Sequence, residues 1–125
     1  SGTLALETFK KFESLNKTFN KNVGVILQTY LMYNMRDVFD GLQGWTKEQS
    51  ELTDTIRIFI KNKLPELDIY FSDFTYDVIN FKKEQKTFLA PAVLWIDHSH
   101  FSPAGNELMA KRLYAMLREM NILDK

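Results

Sequence analysis

The run Val23-Gly24-Val25-Ile26-Leu27-Gln28-Thr29-Tyr30-Leu31 is the segment that most restricts the fold. It is rich in β-branched and apolar residues without clean alternation, the pattern of a strand buried on both faces of a parallel sheet. Helical periods lie on either side of it. From Leu4 to Asn20 the apolar residues Leu4, Phe9, Phe12, Leu15 and Phe19 recur at spacings near three and four, with Lys10, Lys11, Glu13, Asn16 and Lys17 between them. That spacing predicts an amphipathic helix with one buried face, broken at Asn20-Lys21-Asn22. Helix, short loop and buried strand make half of a right-handed crossover unit.

Downstream, Met32 to Trp45 reads as irregular, with Gly41 and Gly44 as turn residues. Thr46 and Gln49 match a capping box, in which the hydroxyl covers one free N–H and the amide returns to another. The helix they open is expected to run to about Lys63, with Leu52, Ile56, Phe59 and Ile60 inward and Pro65 ending it. Leu67–Phe71 predicts a second strand. Asp73–Pro91 mixes aromatics with Lys82, Lys83, Glu84 and Lys86 and reads as a loop holding a short helix around Tyr76–Phe81. Ser102 suits an N-cap and Pro103 the first helical position of a last helix that turns Leu108, Met109, Leu113, Leu117 and Met120 toward the core. The order helix, strand, helix, strand, helix is α/β. Two strands are too few to close a doubly wound domain, and they leave an open sheet edge.

Composition narrows the functional classes. Sixteen basic residues balance sixteen acidic ones, so no long-range field favours nucleic acid or an anionic membrane. The chain has no cysteine, which removes disulfides, thiolate zinc sites and a cysteine nucleophile. No apolar stretch is long enough to span a membrane. Ser1-Gly2-Thr3-Leu4-Ala5 lacks the basic region and apolar core of a signal peptide and reads as an interior cut or an artificial scar rather than a natural start. Nothing in the sequence fixes the compartment.

The segment that carries chemistry is Trp95-Ile96-Asp97-His98-Ser99-His100-Phe101-Ser102-Pro103-Ala104-Gly105-Asn106. It sets a carboxylate three residues before an imidazole, in a loop just ahead of a capped helix. A carboxylate on one ring nitrogen fixes the tautomer and leaves the other nitrogen as a base toward a hydroxyl.

An apolar residue before the Asp, then His-Phe-Ser-Pro, a Gly and an apolar helix resemble the last sequence block of SGNH/GDSL hydrolases. The helix and strand order from Leu4 to Phe71 resembles the second half of that fold. The resemblance implies a three-layer α/β/α, flavodoxin-like domain of which residues 1–125 are the C-terminal portion. It also implies hydrolysis of carboxylic esters through a Ser-Asp-His triad, with Asp97 orienting His100 and His100 as the base. No metal or organic cofactor is needed for that chemistry, and the implied partner is a small-molecule or saccharide ester.

Two departures stand out. The position after the Asp is commonly glycine in the family, and here it is His98. More important, the family's Gly-Asp-Ser nucleophile motif and its Gly-x-Asn-Asp block are both missing, so either an N-terminal segment or another chain supplies the serine, or the pair has lost its original job. An acyltransferase or deacetylase acting on saccharides, or a non-catalytic binding subunit, are the alternatives.

Other residues have simpler readings beside the sharp ones. Asp97, His98 and His100 could be metal ligands, but residues so close in sequence seldom all face one ion, and the chain has no further His. Ser102 is better explained as a cap than as a nucleophile, and Ser99 sits between the two histidines without an activating partner. Trp95, Phe101 and Tyr30 read as core or pocket wall. Met32–Trp45 is the family-implied substrate-facing loop, or else plain solvent-exposed chain.

Overall fold

The computed structural model describes residues 2–36, 46–87 and 89–123. Two short strands, β1 (Gly24–Leu27) and β2 (Tyr70–Asp73), pair in parallel with Gly24 opposite Tyr70 and Leu27 opposite Asp73. Around them lie α1 (Gly2–Thr18), α2 (Leu31–Asn34), α3 (Lys47–Glu66), α4 (Thr75–Gln85), a 3-10 turn (Ala90–Val93) and α5 (Pro103–Glu119). The fold is mixed α/β and mostly helical. Parallel strands cannot be joined by a tight turn, and α3 lies in the crossover between them.

Element ends follow local chemistry. Thr46 caps α3: its hydroxyl accepts from the Gln49 N–H, and the Gln49 side chain accepts from the Thr46 N–H. Pro65 does not end this helix as the sequence suggests; it sits in the last turn, and α3 runs on to Glu66. The stop comes after it. Asp68 adopts a left-handed conformation (φ 57°), its N–H bonds the Pro65 carbonyl, and the Ile69 N–H reaches back to Leu64. This is a Schellman ending, with Leu64 and Ile69 supplying the apolar contact that accompanies it. It occupies Leu67–Ile69, so β2 begins later than expected, at Tyr70. β1 is likewise shorter than the Val23–Leu31 run and only partly covered, not buried on both faces. Asp73–Pro91 is not mainly loop: α4 covers Thr75–Gln85.

Two apolar clusters hold these pieces. Phe9 of α1, Leu64 of α3 and Ile69 form one, joined by Val25 and Phe71 from the strands. Phe74, Val78, Leu94 and Trp95 form the other, joined by Ile26, Leu31, Phe101 and Leu108. Successive residues of a strand point to opposite faces, so Val25 and Ile26 feed different clusters.

The apolar faces expected inward are only partly covered, with Phe12, Ile60, Leu108 and Met109 packed against the clusters as expected. On α1 Phe9 is buried while Leu15 and, just past the helix, Phe19 are exposed; on α3 Leu64 is buried while Leu52, Ile56 and Phe59 are exposed. On α5 Met116 is buried and Leu113 is exposed, while Met120 at the C-cap is buried as expected. The physical reason is the small sheet: two four-residue strands can cover only part of each helix's apolar stripe. An uncharged groove of about 560 Å³ remains along β1, between Phe9 and Phe12 of α1 and Ile56 and Phe59 of α3. Among the described residues β1 pairs on one side only, so this groove runs beside unpaired strand backbone.

Candidate active site

The Asp97–His100 segment is the tip of a small hairpin. Trp95 and Phe101 form an antiparallel bridge, the Ile96 N–H bonds the His100 carbonyl at 2.9 Å, and the Ser102 N–H bonds the Leu94 carbonyl at 2.9 Å. Aromatic packing anchors its base. Trp95 is buried, its ring lies 5.3 Å from that of Phe101, and Phe101 meets Phe74 edge to face at 5.3 Å. The Ser102 hydroxyl donates to the Val93 carbonyl at 2.6 Å and accepts from the Gly105 N–H at 3.2 Å, which ties the hairpin to the first turn of α5. Gly105 allows that approach, because a Cβ there would stand 2.1 Å from the Leu94 carbonyl oxygen.

At the tip, one carboxylate organises everything. Asp97 Oδ1 accepts the backbone N–H groups of Ser99 (2.9 Å) and His100 (2.8 Å), which closes the turn. The same turn brings the His100 ring over the carboxylate, with Nδ1 2.8 Å from Oδ2 and 2.9 Å from Oδ1. The Ser99 and His100 N–H groups, and then the imidazole, hold the Asp97 carboxyl down at about 2. An ionised Asp97 can only accept, so Nδ1 carries a proton, and in the neutral ring Nε2 keeps its lone pair. The His100 side chain is 74% exposed, so Nε2 is open to an incoming group.

The tip docks at the carboxyl end of the parallel strands. The Leu31 N–H bonds the His98 carbonyl at 3.0 Å, and Gln28 Nε2 bonds the Ser99 carbonyl at 3.1 Å, both donors coming from the chain that leaves β1. Nothing in the sequence paired Gln28 or Leu31 with the motif; the partners lie about seventy residues apart and meet through neutral amides. Beneath them, buried polar groups brace the strand ends. Thr29 and Thr75 share a hydrogen bond at 3.1 Å, and Asn34 donates to Thr29 at 2.8 Å. Arg57 of α3 binds Asp73 at the end of β2 at 2.6 Å and also contacts Tyr33 and Asp54. Burial works against the charge on Arg57, but the hydrogen bond to Asp73 and the charge of that carboxylate outweigh it, and its pKa is raised. Burial, and then the hydrogen bond to Asp54, raise the pKa of Tyr33. The carboxyl ends of parallel strands are where open α/β sheets bind ligands.

The other sequence candidates fall out differently. Ser102 is the cap of α5. The Ser99 hydroxyl lies 3.5 Å from His100 Nδ1, the nitrogen that Asp97 already holds, so it faces the wrong side of the ring for a nucleophile. His98 is exposed and contributes its carbonyl to the docking bond. Among the described residues no group of three or more His, Cys, Asp or Glu could hold a metal ion. Trp95 is core, Phe101 is partly covered and Tyr30 is exposed. Of the suggested substrate-facing loop, Met32–Met35 is buried instead, and residues 37–45 lie outside the described residues. No helix among the described residues is long and apolar enough to cross a membrane. No family model matches the chain, and neither curated proteins nor solved structures gave a match to it.

Proposed function

We propose that Asp97 and His100 are the Asp–His half of a Ser-Asp-His triad in an SGNH/GDSL-type ester hydrolase. The observation that carries this is the 2.8 Å contact between Asp97 and His100 Nδ1, with the ring exposed at the carboxyl end of the strands. In the reaction, Nε2 of His100 takes the proton of a serine hydroxyl as that oxygen attacks the ester carbonyl. An acyl-enzyme forms, and His100 returns the proton to the leaving alcohol. Water then repeats the cycle and releases the acid. Asp97 keeps the ring in the right tautomer and stabilises the imidazolium.

Among the described residues the hydroxyl that meets the ring, that of Ser99, lies on Nδ1, so this reading takes the serine from polypeptide outside residues 1–125. A place for such a segment exists along β1, where unpaired backbone runs beside the apolar groove. A strand added there would extend the sheet and cover Phe12, Ile56 and Phe59, as the three-layer α/β/α domain requires. Apolar clusters formed from alternate residues of β1 agree with that architecture.

The test is to react the native protein, isolated with whatever chain or segment accompanies these residues, with a fluorophosphonate probe, and to map the label. A labelled serine outside residues 1–125 is the expected result, and failure of any serine to react contradicts it. The absence of a described hydroxyl on Nε2 favours one second reading, a binding module that retains the pair without catalysis. Unlabelled protein that still binds an ester or saccharide would support that reading. Labelled protein that transfers acyl groups to a saccharide faster than to water would instead mark an acyltransferase.

A further inference from the structure

We infer that Gln28 is a positioning residue for the Asp97–His100 pair. This rests on the proposed role of that pair as orienter and base. Two successive carbonyls of the turn, those of His98 and Ser99, are gripped by two donors from the chain just past β1: the Leu31 N–H at 3.0 Å and Gln28 Nε2 at 3.1 Å. These carbonyls lie between Asp97 and His100, so their direction fixes the plane of the turn relative to the sheet. The first donor is main chain and works for almost any residue at position 31. The second is a side chain, and it is the one a substitution can remove.

The hairpin bonds at Ile96 and Ser102 hold the base of the loop, and the Asp97 carboxylate closes its tip on itself. Neither set determines how the tip is aimed. An exposed tip held only at its base can pivot about Ile96 and Phe101, and a pivot carries the His100 ring with it. Gln28 opposes that pivot from the far side, at the end of a strand that cannot move without disturbing its pairing to β2. A ring displaced by about 1 Å no longer meets its hydroxyl in line, which costs on the order of 100-fold in rate. Gln28 touches no reacting atom in this scheme; it acts through Ser99.

The experiment compares wild type, Gln28→Glu and Gln28→Lys in the full native protein. Glu keeps the size of Gln but loses the amide donor and sets a charge against the Ser99 carbonyl. Lys restores a donor. Gln28 is exposed, so both variants should melt near the wild-type temperature. In Gln28→Glu the Leu31 amide, which bonds the neighbouring His98 carbonyl, should lose protection from exchange, while the Asp97–His100 contact inside the tip persists. Ester turnover should fall by about 10- to 100-fold in kcat with KM unchanged, and Gln28→Lys should recover most of both. Unchanged protection of the Leu31 amide and unchanged kcat in Gln28→Glu would overturn the inference. An ordinary Asp97 titration and an unprotected His100 proton in wild type would instead overturn the reading of the pair on which it rests.

Discussion

Asp97 closes a turn and orients a ring with the same carboxylate, and that double use explains why so short a segment can carry a preorganised pair. Each bond it accepts, from Ser99 and His100 N–H and from Nδ1, favours the ionised form and holds its pKa near 2, below the ordinary 3.8. For a carboxyl depressed on folding, the contribution to order is present above the unfolded value and lost as pH falls through the folded one. The Ser99 and His100 amides should therefore stay protected at pH 5 and lose protection between about pH 4 and pH 2. Amide exchange by NMR measures this directly, and loss of protection already at pH 6 would contradict it. The pair was legible in the sequence because both members lie within one turn. Gln28 was not, since an amide meeting a carbonyl from a distant segment leaves no pattern along the chain.

Helix ends decide where the site sits. The capping box at Thr46 and the Ser102-Pro103 start of α5 were readable because capping depends on side chains at fixed offsets. The break at Asn20 was readable, but the left-handed stops at Asp68 and Asn121 were harder to read, because neither uses glycine. At the end of α4, Lys86 holds φ 56° with an exposed side chain, so Lys86→Gly should stabilise the protein by about 0.5–1 kcal/mol, measured by denaturant unfolding. From sequence, Asp73–Pro91 reads as loop around a short helix at Tyr76–Phe81, although Phe74, Val78 and Phe81 stand at helical spacing and pack into one cluster. The charged Lys82-Lys83-Glu84 run hid that stripe. At the other side of the site, Gly105→Ala would force a Cβ against the rigid Leu94 carbonyl. It should cost about 1–3 kcal/mol and shift the hairpin amides, whereas an unaltered stability would show that α5 can move away freely.

Across the whole molecule, one cluster supports the site and the other supports the sheet. Phe74 is fully buried and edge-on to Phe101, so Phe74→Ala should lose about 3–5 kcal/mol, much of the ~5–15 kcal/mol that holds a typical domain together. Thermal unfolding tests this, and a loss below 1 kcal/mol would mean the cluster is not a core. The α/β class was legible from the apolar run at Val23–Leu31 and the flanking periods. The buried faces of α1 and α3 were not, because their apolar stripes are wider than two short strands can cover, leaving the groove beside β1. In the proposed reading, a segment that adds a strand along β1 and brings the serine would complete fold and site together.

The most direct measurement of the central claim is ester-hydrolysis kcat/KM in the full native protein, compared among wild type, Asp97→Asn and His100→Ala, with folding of each verified by its melting curve. Both residues are exposed at a hairpin tip, and the structure gives no reason for either variant to unfold. A loss of about 10⁴-fold in each, with fluorophosphonate labelling abolished, is the outcome expected of an orienting carboxylate and its base. Hydrolysis that survives both substitutions within tenfold would mean that Asp97 and His100 do not carry the chemistry.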